Sequence, residues 1–147
     1  ILAIKDENFN TKTFTLEFVT PEKVALRDEV ESVVVPAFDG ELGVLAGHAP
    51  LLAQLQPGEV RVTKAGEISS FAIAGGFLEV RPDRTAIFAE AAETAAEVDA
   101  ERARQSLERA RAVLEQKPPD ADLTAARAEM FRALARLRVA GKTRRRS

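Results

Sequence analysis

His48 is the only histidine of the chain. It closes a glycine-rich run that begins at Gly40, and Asp39 stands just before that run. An imidazole and a carboxylate could together move a proton. A nucleophilic triad would also need Ser or Cys beside the base. Cys is absent, no G-x-S-x-G elbow occurs, and Ser32, Ser69 and Ser70 fall in strand patterns. A structural or interface role for His48 is therefore favoured over an Asp39/His48 enzyme. Gly40, Gly43 and Gly47 also invite a phosphate-loop reading, but that loop requires Gly-Lys-Ser/Thr before a helix. Here the glycines precede Ala-Pro-Leu-Leu, with no Lys in place. One His and no Cys exclude disulfides and make thiolate or histidine metal centres untenable.

The arginines offer a second chemistry. Arg102 and Arg109 lie seven apart, and Arg132 and Arg136 four apart, so each pair shares one face of a helix. If those faces meet, four guanidiniums converge, which suits a triphosphate because Arg forks bind phosphate oxygens in pairs. The alternative is a solvated face or one that docks on an acidic protein. Nucleic acid is not indicated: residues 98–147 carry 13 Lys+Arg but Phe131 is their only aromatic, so stacking platforms are missing.

These residues need elements to hold them, and the chain divides into two kinds. Thr13-Phe-Thr-Leu-Glu-Phe-Val-Thr20 alternates, with Phe14, Leu16 and Phe18 on one face, the mark of a half-buried strand. Pro21 breaks it, and a β-branched run through Val33–Val35 is expected to close at Pro36. Gly40, Gly43, Gly47 and Pro50 predict a turn-rich segment. Val60–Thr63 and Ile68–Ala74 read as a hairpin around Lys64-Ala65-Gly66, Gly75-Gly76 as a bend or bulge, and Pro82-Asp83-Arg84 as the next turn. Short strands at close spacing predict a sandwich or barrel.

Near residue 90 the sequence turns rich in Ala, Glu and Arg, which favour helix. Asp99 is placed to cap a first helix, Pro118-Pro119 to stop it, Asp122 to cap a second, and Gly141 to end that near Ala140. The apolar stripe is thin: Leu107, Val113 and Leu114 are expected to face Leu123, Met130, Leu134 and Leu137. Such a hairpin needs a partner surface, and could dock in more than one place. Charge divides at the same point. Residues 1–97 hold 8 Lys+Arg against 16 Asp+Glu, a balance of −8, and residues 98–147 hold 13 against 7, a balance of +6. The fold class is thus α+β: an N-terminal antiparallel β-sandwich over 13–91, then an antiparallel two-helix hairpin over 92–141. The first residue is Ile, and residues 1–12 and 142–147 are read as a flexible leader and basic tail outside the fold. No apolar run approaches the ~20 residues of a membrane helix.

The stretches Phe14–Leu26, Val30–Val62, Ala72–Val80 and Val98–Ala103 closely resemble the epsilon subunit of F-type ATP synthases, called delta in mitochondria. The specific piece is Gly40-Glu-Leu-Gly-Val-Leu-Ala-Gly-His-Ala-Pro-Leu-Leu52 with Leu55-Gln-Pro-Gly58 downstream. The family usually has Pro where Ala46 stands, and often Gly at Ala37.

That resemblance implies about ten strands in the sandwich and a non-catalytic subunit of the central stalk. It implies binding to the gamma subunit and to the ring of c subunits, with Glu41, Leu42, Gly43 and His48 at the ring. It implies a hairpin that can leave the sandwich, extend along gamma and inhibit ATP hydrolysis, its basic residues Arg127, Arg132, Arg136 and Arg138 meeting an acidic segment of the beta subunit. In some members the folded hairpin binds ATP as a regulatory ligand through an Ile/Leu-Asp-x-x-Arg-Ala motif. Val98, Asp99, Arg102 and Ala103 match that motif, and Arg109, Arg132 and Arg136 stand at its further arginine positions. No cofactor is required. The implied location is peripheral, at the cytoplasmic face of a bacterial plasma membrane, or alternatively at an organellar inner membrane.

Overall fold

This computed structural model describes residues 12–146, the last four by their helical backbone alone. Apart from Lys12, the expected leader lies outside the described residues, as does Ser147. Ten strands precede two helices: β1 (Phe14–Val19), β2 (Val24–Val30), β3 (Ser32–Ala37), β4 (Gly40–Leu45), β5 (Leu51–Leu55), β6 (Gly58–Lys64), β7 (Glu67–Ile73), β8 (Gly76–Val80), β9 (Thr85–Ala89), β10 (Ala92–Glu93), α1 (Ala100–Gln116) and α2 (Leu123–Arg146).

The strands follow the order β10-β7-β6-β3-β5-β8-β9-β1-β2, with β4 attached to β3. β3 meets β5 only through Ala37 and Leu55. The sheet folds over at that weak joint into two layers, one containing β10, β7, β6, β3 and β4, the other β5, β8, β9, β1 and β2. Every described pairing is antiparallel except β1 with β9.

The alternation of β1 is realised: Leu16 and Phe18 are fully buried. Phe18 meets Phe71 of the other layer with ring centroids 5.0 Å apart. Val33, Val35, Val60, Leu78 and Ile87 complete a dry interior. Each such side chain contributes roughly 1.5–3 kcal/mol on burial. The β6–β7 hairpin turns at Ala65 and Gly66, both at positive φ (52° and 81°), the two-residue geometry that matches strand twist. Gly76 starts β8 where β9 comes too close for any side chain: a Cβ there would lie 2.1 Å from the Phe88 carbonyl oxygen.

Several expectations are corrected. The segment from Gly40 to Leu45 is an edge strand, not a loop; it pairs with all of β3, from Ala37↔Gly40 to Ser32↔Leu45. Pro36 does not end β3 but lies inside it. Pairing with β6 stops at Val34, so the missing N–H is not demanded by that neighbour, and the Pro36 carbonyl still accepts from Gln56 N–H at 2.9 Å. β2, too charged and exposed to stand out by alternation, is a further edge strand.

The helices are capped as expected. The Asp99 carboxylate accepts from Arg102 N–H, and Lys117 ends α1 in the left-handed region. Asp122 Oδ1 accepts from Ala125 N–H at 3.0 Å. Gly141, however, does not terminate α2, which continues to Arg146. An internal Gly costs about 1 kcal/mol, but fully buried Val139 and an ion pair from Lys142 anchor the helix on either side of it. The seam of the hairpin also differs. Its buried residues are Ala103, Leu107 and Ala110 on α1 and Ala133 on α2, while Val113, Leu114, Leu123, Met130, Leu134 and Leu137 stay half-buried. Small residues allow the two backbones close approach. Ala135 and Val139 turn to the sandwich and meet Ala72 of β7.

Candidate functional site

Residues that pair across antiparallel strands share a face. On the outside of the first layer the register aligns Glu41 with Pro36, Gly43 with Val34, Val34 with Arg61, Arg61 with Ser70, and Glu59 with Ala72. Ala72 is where α2 docks. Glu41, Arg61 and Glu59 therefore lie on the face that carries the hairpin. Arg61 forks onto Glu41, with Nη1 2.9 Å and Nη2 3.1 Å from its two oxygens. The same Nη1 is 3.6 Å from Glu59 Oε1, and Lys142 Nζ lies 2.7 Å from Glu59 Oε2.

Glu59 is 3% exposed. Burial alone would raise its pKa, but contacts from Lys142 and Ser70 and the field of Arg61 hold it below the usual range. The Arg61 hydrogen bonds lower Glu41 likewise, helped by the charges of Arg138 and Lys142 on α2.

His48 follows the other end of β4. Its Nδ1–H donates to the Ala49 carbonyl at 2.8 Å, and its own N–H donates to Leu45 O at 3.1 Å. It borders a groove of about 540 Å³ with Thr15, Glu29, Arg81 and Arg84. Asp39 sits in the β3–β4 turn, beyond the opposite end of a six-residue strand, about 20 Å away at the usual rise. The proton-transfer pair is not assembled. Neither is a phosphate loop, since Gly40 and Gly43 belong to a strand followed by further strand rather than a helix.

The four helical arginines do not converge. Arg132 and Arg136 line a cavity of about 250 Å³ floored by Ala72, Ile73, Ala74 and Ala91, with Glu93 and Glu129 at its wall. Arg136 holds Glu93 at 2.7 Å and Arg132 holds Glu129 at 2.9 Å. Arg102 and Arg109 are exposed and absent from that lining; Arg109 donates to Ser106 of its own helix.

The opposite face of the sandwich carries an unforeseen feature. Phe77 and Phe88 pair directly across β8 and β9 and remain 49% and 46% exposed. Val19, Pro21 and Gly76 border the same apolar hollow. Their outward phase is legible in principle, since each alternates with buried Leu78 or Ile87, but their adjacency depends on register.

Comparison with known proteins decides the family. The ATP synthase, Delta/Epsilon chain, beta-sandwich domain matches residues 13–95, and the ATP synthase, Delta/Epsilon chain, long alpha-helix domain matches residues 96–141. The chain belongs to the ATP synthase delta/epsilon family. It is 45% identical to the ATP synthase epsilon chain of Moorella thermoacetica over 130 residues, covering 88% of this chain and 97% of that one. With the Bacillus pumilus epsilon chain identity is 44% over 131 residues, covering 89% and 99%. Among solved structures it is similar to a chain of the Euglena gracilis mitochondrial ATP synthase OSCP/F1/c-ring assembly, with TM-score 0.73, 30% identity and coverage of 83% and 79%. A chain of the Tetrahymena thermophila central stalk and c-ring structure shares the fold, with TM-score 0.57 at 16% identity. An epsilon chain is a regulatory and structural subunit, not the catalytic one.

Within this epsilon-type chain, the residues expected at the ring are spread along β4. Glu41 and Gly43 point outward, Leu42 packs against the core, and His48 lies past the strand end. The ATP-type motif has structural work at three positions: Val98 packs near Ala72, Asp99 caps α1, and Ala103 is fully buried in the seam. Of the basic residues expected to meet the beta subunit, Arg127 and Arg138 are exposed, whereas Arg132 and Arg136 are engaged by carboxylates of this chain. Glu59, Arg61 and Lys142 were not foreseen, because their partners are far apart in sequence. No helix among the described residues is long and apolar enough to cross a membrane.

Proposed function

We propose that this chain is a rotor-stalk subunit of a proton-translocating F-type ATP synthase, held peripherally at the membrane through the complex. Its sandwich joins gamma to the c ring, and its hairpin is a releasable inhibitor of ATP hydrolysis. The observation that carries this reading is the thinness of the hairpin's seat: Ala135 and Val139 on Ala72, plus the Arg136–Glu93 and Lys142–Glu59 ion pairs. An interface of small side chains and charges releases more readily than a continuous Leu-lined one. Gamma would seat on Phe77 and Phe88, on the side away from the hairpin. The ring would take Glu41, Gly43 and His48. Release would part Arg136 from Glu93 of the sandwich, and Arg136 would then join Arg127, Arg132 and Arg138 in a basic face for acidic residues of beta.

The test is a reconstituted complex in which this chain is full-length or truncated after Glu97. Truncation should keep assembly and raise ATP hydrolysis; unchanged hydrolysis would remove the inhibitory role. Coupled proton pumping left normal by Glu41→Lys with His48→Ala would remove the ring assignment.

The Arg132/Arg136 cavity favours one addition, ATP as a ligand that holds the hairpin down. Calorimetric titration with MgATP should then give saturable binding that Arg136→Ala abolishes. No binding at millimolar ATP would leave these arginines to Glu93 and the beta subunit.

A further inference from the structure

We infer that Glu59 and Arg61 form a charge relay that couples docking of α2 to the availability of Glu41 for its partner. The functional half of this inference rests on the reading of Glu41 as a ring contact.

Four groups stand in alternating sign: Glu41, Arg61, Glu59, Lys142. The first three belong to the sandwich and the fourth to the hairpin. Arg61 is committed unequally, with both ends of its fork on Glu41 and only a 3.6 Å approach to Glu59. Glu59 receives its close cation from Lys142 instead. While α2 covers it, a carboxylate this buried is costly to leave without a counter-charge.

When α2 lifts, Glu59 loses both its cover and Lys142, and Arg61 is the cation that remains beside it. Turning toward Glu59 opens the fork on Glu41, whose carboxylate then becomes available to a cation or N–H donor of the ring. The departing helix also removes Arg138 and Lys142, two positive charges that Glu41 feels while α2 is docked. Linkage makes the effect reciprocal. A partner that captures Glu41 frees Arg61 for Glu59, makes Lys142 dispensable, and loosens the hairpin. Ring engagement and hairpin release would thus favour one another without any movement of the strands. Glu59 and Arg61 act here as positioning residues, through Glu41 and Lys142.

The experiment is a double-variant cycle on the full chain, read by native-state hydrogen exchange of the α2 amides, with β6 and β7 amides as the control for an intact sandwich. Lys142→Met should speed α2 opening about tenfold, and Lys142→Arg should restore it. In a Glu41→Gln background Arg61 is already free to hold Glu59, so the same Lys142→Met change should cost less than about threefold. Equal fold-changes in the two backgrounds would overturn the relay, as would unchanged opening in Lys142→Met. Ring contact is measured separately, as retention of detergent-solubilised c ring by complexes carrying Glu41→Lys. Normal retention would remove the ring as the partner, whereas the exchange cycle reports on the relay itself.

Discussion

The Arg136 guanidinium grips Glu93 through Nε at 2.7 Å and Nη2 at 3.3 Å, tying the middle of α2 to β10, the last strand of the sandwich. Both side chains are partly shielded from solvent, and the contact lies on the wall of the cavity that also holds Arg132. Anything that enters this cavity with negative charge must compete with Glu93 for Arg136.

Arg136→Ala should therefore loosen the hairpin without unfolding the sandwich. A partly exposed pair of this kind contributes about 1 kcal/mol. Hydrogen exchange of α2 amides should accelerate about fivefold on that basis, with the urea midpoint of the sandwich unchanged.

Acid should undock the hairpin where alkali in the ordinary range does not. Glu59 and Glu41 are both held below the ordinary Glu value of 4.5. A depressed carboxylate contributes stability that is fully present above its unfolded pKa and is lost as pH falls through its folded one. Hairpin opening, followed by exchange or a distance probe between α2 and β7, should rise as pH drops below that range. Lys142→Met should flatten part of this dependence, because it removes the cation that favours ionised Glu59.

Gly76→Ala should destabilise the sandwich by about 2–3 kcal/mol, since the added methyl meets the Phe88 carbonyl at a distance no rotamer can relieve. Its φ of 151° adds strain. Chemical denaturation of the full chain gives the measurement, and Gly43→Ala, which meets nothing within 4 Å, is the matched control.

Phe77→Glu should abolish co-purification with gamma while leaving the unfolding midpoint within about 0.5 kcal/mol of wild type, as expected for an exposed position. Loss of a central aromatic anchor typically costs 2 kcal/mol or more, about 30-fold in affinity. Retained gamma binding would move the interface elsewhere on the sandwich.

The chain's own order of residues determined a good deal. Alternation in Thr13–Thr20 and the Lys64-Ala65-Gly66 and Pro82-Asp83-Arg84 turns located strands, because a two-residue period and turn chemistry are local properties. Asp99 and Asp122 located helix starts, since capping joins residues three apart. The charge division at residue 97 and the family likeness were likewise written in one dimension. Local rules failed where the neighbourhood overrode them. Gly40 to Leu45 became a strand because β3 was there to pair with it, and Gly141 stayed helical because Val139 and Lys142 were held by the sandwich. Only the tertiary structure separated Asp39 from His48 and kept Arg102 and Arg109 out of the Arg132/Arg136 cavity. Only it set Phe77 beside Phe88 and closed Lys142 onto Glu59. Those relations depend on strand register and on how a helix lies across a sheet, which are decided by the packing of distant segments.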